Sequence, residues 1–567
     1  MDRQSVVGNG PLRLLALISV IAILLGYYGW RFTGSTVTDA AYGALKTVSM
    51  GSLYDHLDQR GEGNAYLELS RWLGVIVEFS AIAFLFTSIF SEQWTLFKAR
   101  WLFRGHIIVI GETDFADRFG EMDDSAVIQL RNLVDPVEQV GRLIRMPFGG
   151  YVDDSFRAAA AHRARAVVVA TSDDARTISL ALAAQRHPAI VSQSSQVLVR
   201  LHDYWLAQRL HNLPGAELLQ SVSEPALAAR DAMRRHPAFL TASNQGAERI
   251  HALLMGERDW IEAMMAELML SAGTRRLARP AITIACARVG AFRERLTERY
   301  PELNAEVDLA FIDLADANPW ELAHFHLARV AGPPITAAYF LFPDGANAIS
   351  GYLAFLQQAR TIEAFVAPIF VLVDSAEFAT AQAGTPLNPL QAVPFGAHRQ
   401  IVAACGLIGG ATELAEQAYH AAYLAFAKPA GDAARSWVQL NEEYRSSNRR
   451  AVAHILAKLF EAGFDLSPWM ARHDVWSSLP ALGEGERLYR DPAERERLAA
   501  LEHQRWTSDR RLNGWRFAEV RDDVRKTHPD IRPFEELPLA AQDYSRQFID
   551  LLDAILPRQV DGMRRPA

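Results

Sequence analysis

Leu12 to Trp30 is an almost unbroken apolar run, LRLLALISVIAILLGYYGW. As a helix it is long enough to cross a hydrocarbon layer of about 30 Å. Arg13 sits at its edge and Tyr27, Tyr28 and Trp30 gather at its far end, as side chains at a membrane interface do. No small-x-small cleavage site follows, which separates the run from a removable leader. A second run, Trp72 to Phe90 (WLGVIVEFSAIAFLFTSIF), has similar length and is followed by Lys98, Arg100 and Arg104. Basic residues there place the rest of the chain in the cytoplasm, with residues 31–71 as the outer loop. Glu78 falls inside the second run, where a lone carboxylate is costly unless it faces water, a partner or a proton path.

Beyond Arg104 the pattern changes to short β-branched runs alternating with helical stretches, which predicts βαβ units and a parallel sheet. His106–Gly111 is a strand ending in glycine, and Ala126–Leu130, Gly141–Met146, Ala166–Ala170 and Val197–Leu201 complete a first doubly wound set. A second set begins at Ala281 with AITIAC and continues through EVDLAFIDL, ITAAYFLFP, PIFVLVD and IVAACGL. The C-terminal part reads as helical. The fold class expected is therefore α/β: an N-terminal two-helix membrane segment, two Rossmann-like domains and a C-terminal all-α domain. The boundaries expected are 1–104, 105–240, a helical connector at 241–279, 280–428, a helical linker at 429–490, and 491–567.

A length of 567 residues fits about four domains. Half the residues are hydrophobic and 22% are charged, a globular average. The net charge of -8 argues against a protein that coats nucleic acid. Cys286 and Cys405 make neither a disulfide framework nor a zinc site, and both fall on inner strands as buried thiols. Lysine occurs only at 46, 98, 428, 458 and 526, an arginine bias that we read as genome composition. His324 and His326 lie two apart, on different helix faces. With no nucleophile elbow, P-loop or metal-spaced histidine cluster, no catalysis and no metal are expected.

The outer loop reads DAAYGALKTVSMGSLYD from Asp39 to Asp55. It resembles the pore helix and filter of potassium channels, with Thr47 matching the first threonine of the filter pattern and Asp55 its last aspartate. The resemblance implies a pore lined by Thr47, Ser49 and Gly51, with Glu78 nearby. Paired filter glycines are missing between Thr47 and Asp55, which predicts a poorly selective cation path rather than a potassium filter.

Residues 105–240 resemble the regulator-of-potassium-conductance (RCK) domain through HIIVIG, Ala161–Ala181 and VLVRLHDYWLAQRL. The second set extends the likeness to a tandem pair, which in that family packs into a ring. Cofactor-binding candidates implied are Gly111, Arg131 and Asp174, for a nucleotide or dinucleotide of unknown identity. Gly111-Glu112-Thr113-Asp114 keeps just the first glycine of the dinucleotide fingerprint, and Leu130-Arg131-Asn132 stands where an acid usually holds the ribose.

Leu498–Leu556 is similar to the repeat (RyR) domain of ryanodine receptors and bacterial proteins. The match runs through Glu502-His503, Trp506, Gly514-Trp515, Arg521-Asp522-Asp523, Lys526, His528-Pro529 and Glu536-Leu537-Pro538. Phe517-Ala518 departs from the usual Tyr-Gly. Trp506 and Trp515 are nine apart and would face opposite ways on one helix, but the Gly514 break turns the second ring back. Two aromatic faces near Arg521, Lys526 and His528 can stack a planar base and hold phosphate. In the receptors this repeat takes an adenine nucleotide, with the tryptophan that matches Trp506 on the base. The upstream stretches 437–440 and 446–450 open a helix expected to pack on this domain.

Together these resemblances imply a ligand-gated channel or membrane effector, a homo-oligomer of tetrameric type in a bacterial inner membrane, with a nucleotide as its small-molecule partner. Bacterial proteins of this organisation resemble nucleotide-sensing conflict systems, which adds membrane permeabilisation in phage defence. A membrane-anchored sensor that conducts nothing and signals to a protein partner is the alternative. An enzyme acting on NAD comes third.

Overall fold

In a computed structural model, the structure describes residues 10–48, 65–89, 91–113, 115–117, 126–132, 138–140, 142–149, 151–193, 195–216, 219–271, 273–314, 332–360, 366–373, 392–396, 413–427, 434–471 and 478–566. The chain divides into two compact units, one ending at Leu102 with Pro136–Gln139 added, the other holding Phe103–Asp135 and Val140–Ala567.

The longest helices of the first unit among the described residues are α1 (Gly10–Phe32), α2 (Val37–Val48) and α3 (Ala65–Ile89). Small residues let them approach closely. Ser70 Oγ donates to the Ala22 carbonyl at 2.7 Å. The Trp30 ring lies so near Gly43 that a side chain there would meet it at 2.7 Å. Thr36 caps α2: its hydroxyl donates to Asp39 Oδ2 and accepts from the Asp39 amide. Among the described residues one helix segment, Leu14–Phe32, is long and apolar enough by composition to cross a membrane.

The second unit holds two sheets. Strands β1 (Ile107–Ile110), β2 (Val127–Arg131), β3 (Glu138–Val140), β4 (Leu143–Pro147), β5 (Ala166–Val169), β6 (Gln196–Arg200) and β7 (Gln220–Val222) lie in the order β3-β4-β2-β1-β5-β6-β7. Strands β8 (Arg249–Gly256), β9 (Ala278–Ala287), β10 (Asp308–Leu314), β11 (Ala337–Leu341), β12 (Ile369–Leu372) and β13 (Ala392–Phe395) lie in the order β10-β9-β8-β11-β12-β13. From β4 to β7 and throughout the second sheet neighbours run parallel. Setting aside edge strand β3, both sheets follow the doubly wound order 3-2-1-4-5-6, with the reversal between β1 and β5 and between β8 and β11. Strands such as IIVI and AVVV are buried on both faces, as parallel sheets covered by helices require.

Strand β8 lies in the stretch read from sequence as a helical connector. RIHALLMG shows no alternation, because β8 is a central strand buried along its length after Arg249. Cys286 is buried on β9, as expected, whereas the IVAACGL run with Cys405 lies outside the described residues.

Helices of the second unit used below are α4 (Asp174–Arg186), α5 (Tyr204–Arg209), α6 (Glu224–Arg235), α7 (Arg258–Ser271), α8 (Val289–Arg299), α9 (Leu414–Ala427), α10 (Glu442–Ala453), α11 (Ile455–Glu461), α12 (Pro492–Leu512) and α13 (Leu539–Ile555). Helix α12 starts at an Asp491 cap that accepts from the Glu494 amide, with Pro492 in its first turn. Arg546 clamps Glu496, and Arg495 clamps Asp550, which ties α13 to α12. The C-terminal domain is helical apart from two short ladders, Leu482–Gly483 with Arg558–Gln559 and Arg516–Phe517 with Thr527–His528.

Candidate functional site

Helix α12 ends in a Schellman motif. Gly514 takes φ +81°, its amide donates to the Arg511 carbonyl, and the Trp515 amide donates to the Arg510 carbonyl. That reversal returns the Trp515 ring to the face carrying Trp506, as the sequence spacing suggested. His528, from the short ladder, stands edge-on to both rings, 5.1 Å from Trp506 and 6.2 Å from Trp515. His503 stacks on Trp506 from the previous turn at 5.6 Å. Trp506 is half-buried, whereas Trp515 is only 6% exposed. Its indole Nε1 is buried with no hydrogen-bond partner among the described residues.

The cation that reaches both rings is Arg510, with its guanidinium carbon 5.6 Å from the Trp506 centroid and 5.2 Å from that of Trp515. Sequence reasoning missed it, although Arg510 lies four residues after Trp506 and so on the same helix face. Lys526 approaches as expected but is engaged: at φ +53° its Nζ donates to the Asn513 carbonyl at 3.0 Å, closing the end of α12. Arg521 does not join the rings. It is exposed and donates to Asp523 at 2.9 Å. Burial holds the His528 imidazole below its usual pKa, with the Arg521 and Arg510 charges adding to the effect. Its Nδ1 accepts from the Asp530 amide, so the neutral ring carries its proton on Nε2.

Around this end α12 is locked into the body of the unit. Lys458, fully buried, reaches Glu502 at 2.8 Å, and Arg505 holds the same carboxylate in a fork. Burial alone would raise Glu502, but the two cations hold it at about 2. Arg450 of α10 pairs with Asp509, which confirms the expected packing of that helix, and also donates to Gln208 of α5. Arg511 and Ser508 both bind Glu306, just ahead of β10. Arg209 donates to the Leu512 carbonyl at 2.7 Å.

At the reversal of the first sheet, Gly111 is buried with φ +143°, and a side chain there would run into the Ala170 carbonyl. Arg131 pairs with Asp117 at 3.5 Å, and Gln129 ties that carboxylate to the Gly111 carbonyl. Asp174 lies apart. It accepts from the His202 and Asp203 amides and from the His202 ring, joining the start of α4 to the turn before α5. Of the pore candidates, Thr47 is held in helix packing: it accepts from Trp30 Nε1 at 3.2 Å and donates to the Gly43 carbonyl. Glu78 is half-buried, and Ser49 and Gly51 lie outside the described residues, as do His324 and His326. No group of three potential metal ligands occurs among the described residues.

The RyR domain family matches residues 492–556, so the chain carries this domain where the aromatic cluster sits. No curated protein matches the chain. Among solved structures, GsuK bound to ADP shares 15% identity over 70% of this chain and 96% of its own, with a TM-score of 0.35. The GsuK channel bound to NAD shares 13% over 70% and 82%, with a TM-score of 0.37. The human SLO3 gating ring shares 8% over 53% and 82%, with a TM-score of 0.34. Scores of this size carry no function to this chain.

Proposed function

We propose that the chain is a membrane-embedded, ligand-gated effector in which the RyR domain senses an adenine-type nucleotide and the α/β body passes its occupancy to the spanning helices. The observation that carries this reading is the convergence of Trp506, Trp515 and His528 around Arg510. Indole faces suit a base, and a guanidinium suits phosphate. The membrane half rests on the outward faces of the first unit. Leu14, Leu17 and Leu24 on α1 and Trp72, Ile76 and Phe79 on α3 are all exposed, an apolar surface that lipid covers and water does not favour. A ligand moves the equilibrium between closed and open forms only by binding one better than the other. The interlocked seam around α12 gives such a difference a route through the body.

Ion flux from liposomes holding the full chain, with and without ADP, tests the reading. Flux that rises with ADP and shows little preference among monovalent cations is expected. ADP binding without flux replaces the channel by an anchored sensor that signals to a protein partner. No ADP binding removes the nucleotide reading.

A further inference from the structure

Four arginines close to the end of α12 hold carboxylates, and they do so in different ways. Arg505 grips Glu502 in a buried fork, Arg450 and Asp509 are both buried, and Arg511 is fixed on Glu306. Arg510 differs. It touches Glu443 of α10 through one nitrogen at 3.4 Å, with both side chains partly open to solvent. A single, solvent-reached contact of this kind is weak and exchangeable, whereas a phosphate offers the same guanidinium a two-pronged contact. Glu443 has a second partner: the ring of His211, in the turn after α5, is 8% exposed and brings Nε2 to 3.3 Å from the carboxylate. The close approach of His211, aided by the nearby charges of Arg510 and Lys526, holds Glu443 at about 2, a charged carboxylate shared between the two sides. One residue thus stands between the aromatic cluster of the RyR domain and the first α/β sheet.

We infer that Glu443 is the resident counter-anion of the aromatic site: it occupies Arg510 in the empty protein and yields it to a phosphate-bearing ligand, and His211 registers the exchange. The inference rests on the nucleotide reading above and adds its regulation. A ligand without phosphate has no means to displace Glu443 and binds through the rings alone. A ligand with phosphate does displace it, which leaves the carboxylate to His211 and changes the restraint on α5. Affinity is therefore set by competition, and removing the competitor tightens binding.

Calorimetric titration of the full chain in lipid nanodiscs, with ADP and adenosine as the two probes, tests this. Glu443→Gln is expected to tighten ADP about two- to fivefold, the range of one exposed ion pair, and to move adenosine less than about 1.5-fold. Arg510→Gln is expected to bring ADP down to the affinity of adenosine. Hydrogen exchange supplies the readout that a merely structural role would not move: ADP should change protection of the amides at 204–212 in the native chain and leave it unchanged in Glu443→Gln. If Glu443→Gln lowers the melting temperature, Glu443→Asp, which keeps the charge but shortens its reach, carries the same comparison. ADP binding that is indifferent to both substitutions overturns the inference while leaving the nucleotide site in place. Failure of both probes to bind the native chain removes the site and the inference together.

Discussion

In the first sheet the leading strand Ile107–Ile110 gives way to Gly111, an exposed Glu112 and Thr113, whose hydroxyl donates to the Ala170 carbonyl. In the second, the leading strand Arg249–Gly256 runs into α7, which is buried without a break from Ile261 to Ser271. Strand order is shared, and so is the glycine at the reversal: Gly256 at φ +147° stands against the Leu341 carbonyl as Gly111 stands against Ala170. The helices do different work. Helix α7 is covered by α6 and by α12, so its carboxylates Glu262 and Glu267 are internal, and Glu262 is held there by Arg299, Arg295 and the Tyr300 hydroxyl. Asp117, its nearest counterpart in the first sheet, pairs with Arg131 at a partly open edge. One topology thus serves as an accessible rim in one copy and as the packed centre of the unit in the other.

The sharpest way to break this contrast is to remove one carboxylate from each copy. Glu262→Ala leaves the half-buried Arg299 with Asp203 alone and the buried Tyr300 hydroxyl without its acceptor, and should cost about 3–5 kcal/mol, read as a fall in denaturation midpoint of the full chain. A cost below 1 kcal/mol would mean that the second copy is as open as the first. The glycines test what the copies share. Gly111→Ala and Gly256→Ala each force a side chain into a carbonyl at positive φ, and both should lose about 3 kcal/mol. Unequal losses would show that one reversal can relax.

Acid should separate the copies next. His454, between α10 and α11, meets the Gly273 carbonyl just past α7 with Nε2, and Lys458 with Nδ1. Burial, then the Lys458 charge, holds it well below the ordinary histidine value. A group lowered in the folded state stabilises fully above its unfolded pKa and loses that contribution as pH falls. Stability should therefore decline below pH of about 6.5 by up to about 1.4 kcal/mol per unit, and His454→Gln should flatten the slope. Smallest of all is Asp117→Asn, expected to cost under about 1 kcal/mol, as an open ion pair does. A larger loss would make the rim part of the core.

Much of this was legible in the sequence where chemistry is local. The Gly514 break announced that Trp515 turns back toward Trp506, and strands such as IIVI declared themselves by continuous apolar content. What stayed hidden depends on contacts between distant segments. Strand β8 reads as a helical stretch because its partners β9 and β11 supply the burial that gives it strand character. Asp174 sits in a motif that suggests a cofactor, yet the amides of His202 and Asp203 engage it. Arg510 was visible by spacing from Trp506, but its tie to Glu443 spans 67 residues and leaves no local trace.

The bond from Arg209 to the Leu512 carbonyl joins residues 303 apart, and Arg450 reaches Gln208 across 242. On the ribosome, α5 emerges long before either partner exists. At about 5–20 residues per second the first α/β copy waits some tens of seconds with the surface that will face α12 uncovered. Loop closure over such separations is slow, so α12 docks well after the first α/β copy has emerged. A ribosome that stops short of residue 492 releases a chain with an exposed seam, matter for chaperones and proteases. Assembly of the body thus reports that the RyR domain has been made.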